Sequence, residues 1–169
     1  EIKDLLPSSF VVLTGPHVSA LPMESLALDS RVDAVARGEY DLTIAELAER
    51  PTGKGGLDNV SGLTYRDGER IISNPDRAFI EDLDSLPFVS KVYKKHLNIR
   101  NYFYAHCRYP VVSIFTSRGC NARCAYCVYP EQMFGRRQRQ RSPENIVSEF
   151  EYIEQELPEV KEVLIDDDT

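Results

Sequence analysis

The chain has 169 residues, a formal net charge of −7 at pH 7 and an apolar fraction of 42%. This length suits one ordinary domain or parts of two, and the apolar fraction is sufficient for a hydrophobic core. No apolar run approaches the roughly 18 residues that a bilayer-spanning helix needs, which argues against a transmembrane segment. The sequence shows no signal peptide, low-complexity tract or internal repeat, and we expect a cytoplasmic protein.

Basic residues are concentrated in the second half of the chain. Residues 91–141 carry eleven Lys or Arg residues and a single acid, Glu131. Such a stretch can attract an anionic ligand or a nucleic acid. The motifs of the known nucleic-acid-binding modules are missing from the sequence, so we do not expect nucleic acid to be a partner.

The first 50 residues alternate between predicted strands and helices. Apolar runs predict strands over residues 10–13 and 32–36, and helical spacing predicts helices over residues 22–28 and 42–50. Strand–turn–helix repeats of this kind form a parallel α/β sheet. Ligands in such sheets bind at the carboxyl ends of the strands, where the turns 14–17 and 37–39 lie.

Residues 51–110 have the composition of a connecting region. The Pro and Gly residues over 51–56 predict a flexible break. Two β-rich runs, residues 63–65 and 70–72, flank a turn with Gly68 and predict a small hairpin. The aromatic residues that follow are expected to pack between domains rather than to stack on a substrate.

Residues 111–169 begin a second predicted domain. A β-rich run over residues 111–116 delivers the chain to a cysteine-containing loop at its carboxyl end, where barrel enzymes place catalytic groups. A helix is predicted to begin after its N-cap, Ser142, and to end before Pro158. Its apolar stripe consists of Ile146, Val147, Phe150, Ile153 and Leu157. The next strand, residues 163–165, is predicted to pair in parallel with the first through a right-handed crossover.

Three cysteines stand close together in the loop after that first strand: Cys120, Cys124 and Cys127. Three thiolates at C-x3-C-x2-C spacing suit a [4Fe–4S] cluster and leave one of its irons open to a small molecule. The alternative is a structural zinc site with Cys107, His96 or His106 as the fourth ligand. Zinc sites usually use two separated pairs of ligands, so the spacing favours iron–sulfur. Disulfides are not expected in the reducing compartment that a cluster needs.

The cysteine loop resembles the cluster motif of radical S-adenosylmethionine (SAM) enzymes, including Arg118 and Gly119 before the first cysteine and an aromatic residue, Tyr126, before the last. The resemblance implies that the open iron binds SAM and that the reduced cluster cleaves it to a 5′-deoxyadenosyl radical, with Tyr126 near the adenine. It also implies that Asp167 and Asp168, after the second barrel strand, lie near the amino group of SAM.

Two arginines match an element of the same family that follows the cluster loop. Arg139 and Arg141 stand in an Arg-x-Arg-Ser arrangement. One interpretation is a two-pronged contact with a carboxylate, and the other is bracing of the barrel against the preceding domain. The residues alone favour neither interpretation.

Residues 1–50 resemble the C-terminal half of the Rossmann-like cobalamin-binding domain that precedes many radical SAM domains. The segments that carry the resemblance are residues 13–17, 21–22 and 32–39. It implies that two glycine turns, with Gly15 and Gly38, lie beside the nucleotide tail of cobalamin, where a missing side chain lets the backbone approach. His17 in the first turn is more typical of a structural hydrogen bond than of a cobalt ligand.

Together these resemblances imply an α/β protein in three parts. Residues 1–50 would be the C-terminal part of a cobalamin-binding-like domain, residues 51–110 a linker with a hairpin, and residues 111–169 the start of a radical SAM partial (β/α) barrel. Because the chain begins with Glu1 and stops just after a predicted strand, we expect a fragment that is inactive alone.

The implied enzyme uses a [4Fe–4S] cluster and SAM, with cobalamin as a further cofactor. It would methylate or rearrange a lipid or another small molecule of secondary metabolism, with electrons from a reductant such as flavodoxin or ferredoxin. Residues 88–99 and 160–163 are similar to hopanoid-biosynthesis radical SAM proteins, whereas residues 128–135 depart from them. The alternatives are a tRNA methylthiotransferase-like radical SAM protein, which needs three more cysteines for a second cluster, and a zinc-stabilised binding module without enzymatic activity.

Overall fold

The computed structural model describes residues 1–50 and 56–168. These residues form two compact units, Glu1–Phe79 with Ala122–Arg136 and Ile80–Asn121 with Arg137–Thr169. Most of the predicted Gly-rich break, residues 51–55, lies outside the described residues. None of the described helices combines the length and the hydropathy that crossing a bilayer requires.

The first unit contains a four-stranded mixed sheet in the order β1-β2-β3-β4. Its strands are β1 (Val12–Leu13), β2 (Ala34–Ala36), β3 (Leu63–Asp67) and β4 (Arg70–Ser73). The predicted parallel pair is confirmed, because β1 and β2 run parallel, and so is the hairpin, because β3 and β4 are antiparallel. The hairpin also pairs with β2, so it extends the sheet. This pairing covers an edge of β2 that would otherwise leave backbone groups without partners.

Short helices surround this sheet. They are α1 (Ile2–Leu5), α2 (Pro16–Ala20), α3 (Pro22–Leu28) and α4 (Asp41–Ala48), with a 3-10 turn at Leu57–Asn59 and a π-helical turn at Pro130–Phe134. The predicted bounds of α3 are confirmed, and α4 begins one residue earlier and ends two residues earlier than predicted. We missed α2, although Pro16 is a good first helical residue. The core beneath these elements contains Ala34, Leu57, Val60, Leu63 and Tyr65.

The second unit contains a parallel strand pair and a short antiparallel pair. Its elements are α5 (Val89–His96), β5 (Val111–Ile114), β6 (Ser117–Arg118), β7 (Arg139–Gln140), α6 (Pro143–Glu156) and β8 (Glu162–Ile165), with 3-10 turns at Leu83–Ser85 and Ile99–Asn101. The predicted parallel pairing is confirmed, with Val111 opposite Glu162 and Ile114 opposite Ile165. The sequence did not predict the β6–β7 pair, in which Ser117 lies opposite Gln140.

Helix α6 begins as predicted and packs only in part as predicted. The Ser142 side chain accepts a hydrogen bond from the Asn145 amide at 3.1 Å, which confirms the N-cap. Ile153 is buried in the core of the second unit. Val147 and Phe150 remain 54% and 38% exposed, so the prediction of one buried apolar stripe was wrong for them. Ile153 and Leu157 pack with Val112 and Ile114 of the strand pair, and Val147 and Phe150 are not part of that core.

Candidate cofactor site

The cysteine loop follows β6 and has little regular structure before the π-helical turn. Cys120 belongs to the second unit and is half-buried, whereas the next two cysteines belong to the first unit. Cys124 is exposed, Cys127 is half-buried, and the Cys127 amide donates to the Cys124 carbonyl at 3.1 Å. This turn contains Tyr126, whose side chain is 88% exposed and open to a ligand. Arg136 donates to the Ala122 carbonyl at 2.8 Å, so it links the two ends of the segment that contains this turn, residues 122–136.

The donor atoms of this loop suit an iron–sulfur cluster. All three cysteines are free thiols, and thiolate sulfur is the ligand that [4Fe–4S] clusters use. Within residues 1–50 and 56–168, no group of three or more His, Cys, Asp or Glu side chains lies close enough to hold a metal ion. The fit therefore rests on the chemistry and the spacing of the thiols.

Cys107 makes contacts that disfavour a zinc site. Partial burial raises the pKa of the Cys107 thiol, and a hydrogen bond with Glu162 raises it further. Because zinc binds the thiolate, a raised pKa weakens a cysteine as a ligand at neutral pH. The two histidines that could replace it, His96 and His106, are exposed.

The two acids expected near SAM contact the backbone at the start of the cysteine loop. The Asp167 carboxylate accepts hydrogen bonds from the amides of Thr116 (2.7 Å) and Ser117 (3.0 Å). It also accepts hydrogen bonds from the hydroxyl groups of the same two residues. The Asp168 carboxylate accepts from the Gly119 amide at 2.7 Å. The pair thus holds the segment between β5 and the first cysteine.

These contacts keep Asp167 ionised. Burial raises the pKa of the Asp167 carboxyl, but the hydrogen bonds from Thr116 and Ser117 outweigh burial and hold the pKa below its ordinary value of 3.8. Hydrogen bonds that donate to a carboxylate favour its charged form. The neighbouring Asp166 is exposed, and its side chain accepts no hydrogen bond from any described residue.

A buried ion pair braces the opposite side of the same strand end. Arg141 is 3% exposed and Glu149 is fully buried, and their side chains meet at 2.6 Å. Arg141 also donates to the Phe115 carbonyl at 2.7 Å and to the Asn145 side chain at 2.7 Å. The other oxygen of Glu149 accepts from the amide (3.0 Å) and the hydroxyl (2.9 Å) of Ser90, at the start of α5. All of these contacts lie inside the second unit, where Arg141 ties α6 to the residue that follows β5.

Arg139 is also buried and contacts the backbone. Arg139 is 4% exposed, and its guanidinium donates to the Ile80 carbonyl. Sequence reasoning missed Glu149, although one signal was available. Glu149 stands four residues before Ile153, so it lies on the helix face that we predicted to be apolar, where a charged residue requires a partner.

The two glycine turns of the first unit differ in what surrounds them. Both follow parallel strands and so lie at the same edge of the sheet. Gly15 has φ +112°, and a Cβ added there would meet no atom within 4 Å. Gly38 has φ +62°, and its Cβ would lie 3.8 Å from the Met133 carbonyl oxygen, in the π-helical turn. The Gly15 turn leaves open space, whereas the Gly38 turn is covered.

A small cavity of about 160 Å³ lies beside the Gly38 turn. The Gly38 amide donates to the Ser19 hydroxyl at 3.0 Å. Arg37, which also lines the cavity, donates to the Asn74 carbonyl at 2.6 Å and to Asp76 at 2.7 Å. The guanidinium of Arg37 therefore holds the segment after β4. His17 is exposed on α2.

Residues 114–165, which run from the end of β5 through the cysteine loop to the end of β8, match the radical SAM superfamily. The match spans the three cysteines, the two arginines and α6, and it ends just before the two acids that hold the loop. The family expected from the cysteine spacing is therefore confirmed.

Two relatives are similar over nearly the whole chain. An uncharacterized methyltransferase of Pyrococcus horikoshii is 31% identical over 167 residues, which cover 99% of this chain and 35% of that protein. The hopanoid C-3 methylase of Methylococcus capsulatus is 28% identical over 155 residues, which cover 90% and 28%. The expected similarity to hopanoid-biosynthesis proteins is thus confirmed. The chain spans about a third of the length of these relatives.

A solved structure shares the fold. The cobalamin-dependent SAM radical enzyme OxsB, with aqua-cobalamin and SAM bound, matches 99% of this chain and 23% of its own with a TM-score of 0.68. The sequence identity is 19%, so the match concerns the fold. It establishes that the mixed α/β arrangement resembles that of a cobalamin-dependent radical SAM enzyme.

Proposed function

We propose that the full-length protein is a cobalamin-dependent radical SAM enzyme that transfers a methyl group to a small molecule or lipid. The single observation that carries the proposal is the free cysteine triplet on the loop after β6, inside the segment that matches the superfamily. The methyltransferase and the methylase among the relatives support methyl transfer. An anaerobic magnesium-protoporphyrin IX monomethyl ester cyclase of Synechocystis sp. is also similar, at 28% identity over 152 residues, so rearrangement stays the second candidate.

In this proposal the thiolates of Cys120, Cys124 and Cys127 hold a [4Fe–4S] cluster. Three protein ligands leave the fourth iron for the amino and carboxylate groups of SAM. The bound cluster supplies the electron that cleaves SAM, while the protein binds, orients and shields the reactants. Tyr126 is the proposed neighbour of the adenine, which its high exposure permits.

Cobalamin is proposed to approach the Gly15 turn. The space beside Gly15 supports this role, because a ligand can come close to backbone that carries no side chain. Gly38, which we also expected at the nucleotide tail, has the π-helical turn within contact distance. We therefore assign Gly15 to the ligand and Gly38 to packing of the segment that follows the cysteines.

The remaining assignments concern the substrate class, the electron donor and other partners of the enzyme. The hopanoid C-3 methylase among the relatives makes a lipid a reasonable first substrate class to test. A flavodoxin or ferredoxin would supply electrons to the cluster, and the reducing cytoplasm would protect it. The charged stretch over residues 91–141 contains buried arginines that brace the fold, so its net charge supplies no argument for nucleic acid.

The proposal is tested by anaerobic reconstitution of the full-length protein with iron and sulfide, followed by metal analysis and EPR spectroscopy with and without SAM. We expect about four irons per chain and an EPR signal that SAM perturbs. Incubation with cobalamin should also leave bound cobalamin after gel filtration. One zinc per chain, no cluster and no response to SAM would establish the zinc module instead. A cluster without bound cobalamin would retain the superfamily chemistry and remove the methyl-transfer proposal.

A further inference from the structure

We propose that Asp167 and Asp168 are positioning residues that fix the backbone leading into Cys120, and that this anchoring holds the cluster loop ready for its metal. The anchoring itself is a property of the second unit, and only its consequence for the cluster rests on the proposed function. The proposal replaces the expectation that both acids contact SAM directly.

The acids extend a strand ladder beyond its end. Strand β5 ends at Ile114 and its parallel partner β8 ends at Ile165. The amides of Thr116 and Ser117 then donate to the Asp167 side chain in place of a backbone carbonyl. An amide in a partly buried segment needs such a partner, because an unpaired polar group is costly away from water.

Asp167 has no capacity left for a ligand ammonium. An ionised carboxylate offers about four lone-pair sites. Asp167 fills them with two amides and two hydroxyls, all from Thr116 and Ser117. A SAM amino group would have to displace one of these donors. The saturated contacts therefore favour a structural task for this side chain.

Asp168 holds the residue at which the chain turns toward the first cysteine. Gly119 has φ +85°, a conformation that glycine adopts readily and other residues avoid. Its amide donates to Asp168 at 2.7 Å. Fixing this residue sets the direction in which the chain reaches Cys120, and it lowers the conformational entropy that must be lost when three thiols gather around a cluster.

The experiment compares Asp167→Ala with Asp166→Ala in the full-length protein. The two variants remove the same charge one residue apart, and only the first removes the anchoring contacts. Hydrogen–deuterium exchange of the cluster-free protein is measured with residue resolution. Iron release from the reconstituted protein to a chelator is measured in parallel.

For Asp167→Ala we expect the amides of Thr116 and Ser117 to exchange about tenfold faster or more, because each loses a hydrogen bond to a charged group. Val112 and Leu164, inside the β5–β8 pair, should keep their exchange rates. Iron should be released several-fold faster than from the wild type. Asp166→Ala should match the wild type in every readout.

Conservative variants keep the test decisive if Asp167→Ala does not fold. Asp167→Asn retains an oxygen that can accept from both amides, and it should recover most of their protection. Thr116→Val combined with Ser117→Ala removes the two hydroxyl donors and should also speed iron release.

Two results would overturn the proposal. One is unchanged exchange at Thr116 and Ser117 in Asp167→Ala or, where that variant does not fold, unchanged iron release from the protein with Thr116→Val and Ser117→Ala. The other is equal acceleration at Val112 and Leu164, which would make Asp167 a residue of general stability. A wild-type protein that takes up no iron would instead remove the proposed function, and the exchange data would still decide whether the acids anchor the loop.

Discussion

The carboxyl ends of the parallel strands are built differently in the two units. In the first unit, β1 leads into a glycine turn with empty space beside Gly15. In the second unit, β5 leads into a charged junction. There the Asp167 side chain accepts from backbone amides, while Arg141 donates to a backbone carbonyl and pairs with Glu149. The first edge leaves room for a Cβ at Gly15 without moving a side chain. The second edge holds the chain in one position for the loop that follows.

This difference shows that two similar α/β edges can serve binding in different ways. A glycine turn leaves a surface that a bulky cofactor can approach. The polar groups of the charged junction bind its own backbone, and in the proposed function the ligand-binding atoms are the cysteines of the next segment. The following predictions test each side of the comparison.

The largest expected effect concerns the cysteine loop. Cys124→Ala in the full-length protein should reduce bound iron to near zero after reconstitution, because a [4Fe–4S] cluster with an open iron needs all three protein thiolates. Cys107→Ala is the matched control and should retain the iron content of the wild type. Equal loss of metal in both variants would favour a four-ligand zinc site.

The buried ion pair should be the strongest stabilising contact of the charged junction. Glu149→Ala leaves Arg141 buried without its partner, so we expect the free energy of unfolding to fall by about 3–5 kcal/mol. Chemical denaturation measures this loss. Glu151→Ala changes an exposed acid on the same helix and should have little effect. A loss below about 1 kcal/mol for Glu149→Ala would mean that the buried pair stabilises the fold no more than an exposed pair does.

Substitution of Gly15 should separate binding from stability at the first edge. Gly15→Ala and Gly68→Ala both place a side chain at positive φ in open space. The loss of stability should be about 1 kcal/mol at Gly68 and about 1–3 kcal/mol at Gly15, because φ +112° with ψ 175° is a conformation that almost only glycine adopts. Only Gly15→Ala should also weaken cobalamin binding, on the order of tenfold, because the methyl group enters space reserved for the ligand. Titration calorimetry measures the affinity. Equal cobalamin affinities of the two variants would move the ligand elsewhere.

At acidic pH we expect a smaller effect, a loss of the stability that the Asp167 carboxylate contributes. The pKa of Asp167 is below its ordinary value of 3.8 in the folded state, so its contribution to stability is complete above that value and is lost as the pH falls through the folded pKa. Denaturation curves at neutral pH and at pH values below 3.8 measure this loss. Asp167→Asn does not titrate, so its stability should fall less in the same interval. Parallel pH profiles of the two proteins would show that the anchor does not depend on charge.

Local patterns predicted the elements that depend on neighbouring residues. The cap at Ser142 and the hairpin around Gly68 follow from residues a few positions apart, and both form as expected. The parallel pairs follow from the order of strands and helices. The cysteine spacing indicated the family, which the match over residues 114–165 confirms.

The contacts of the charged junction could not be predicted in the same way. Asp167 binds residues about fifty positions earlier in the chain, and Glu149 reaches Ser90 across a similar separation. Nothing in the local sequence of either acid identifies these partners. The position of the two acids after a strand was correctly read as an edge of the sheet, but the side chains could face a ligand or the backbone there, and only the fold distinguishes the two.

The most direct test of the proposed chemistry is electron–nuclear double resonance on the reduced cluster of the full-length protein, with SAM labelled with ¹⁷O in its carboxylate and ¹⁵N in its amino group. If the three cysteines leave one iron open, both labels should show hyperfine coupling to the cluster, because both groups bind that iron. A cluster that forms but shows no coupling to either label would contradict the account.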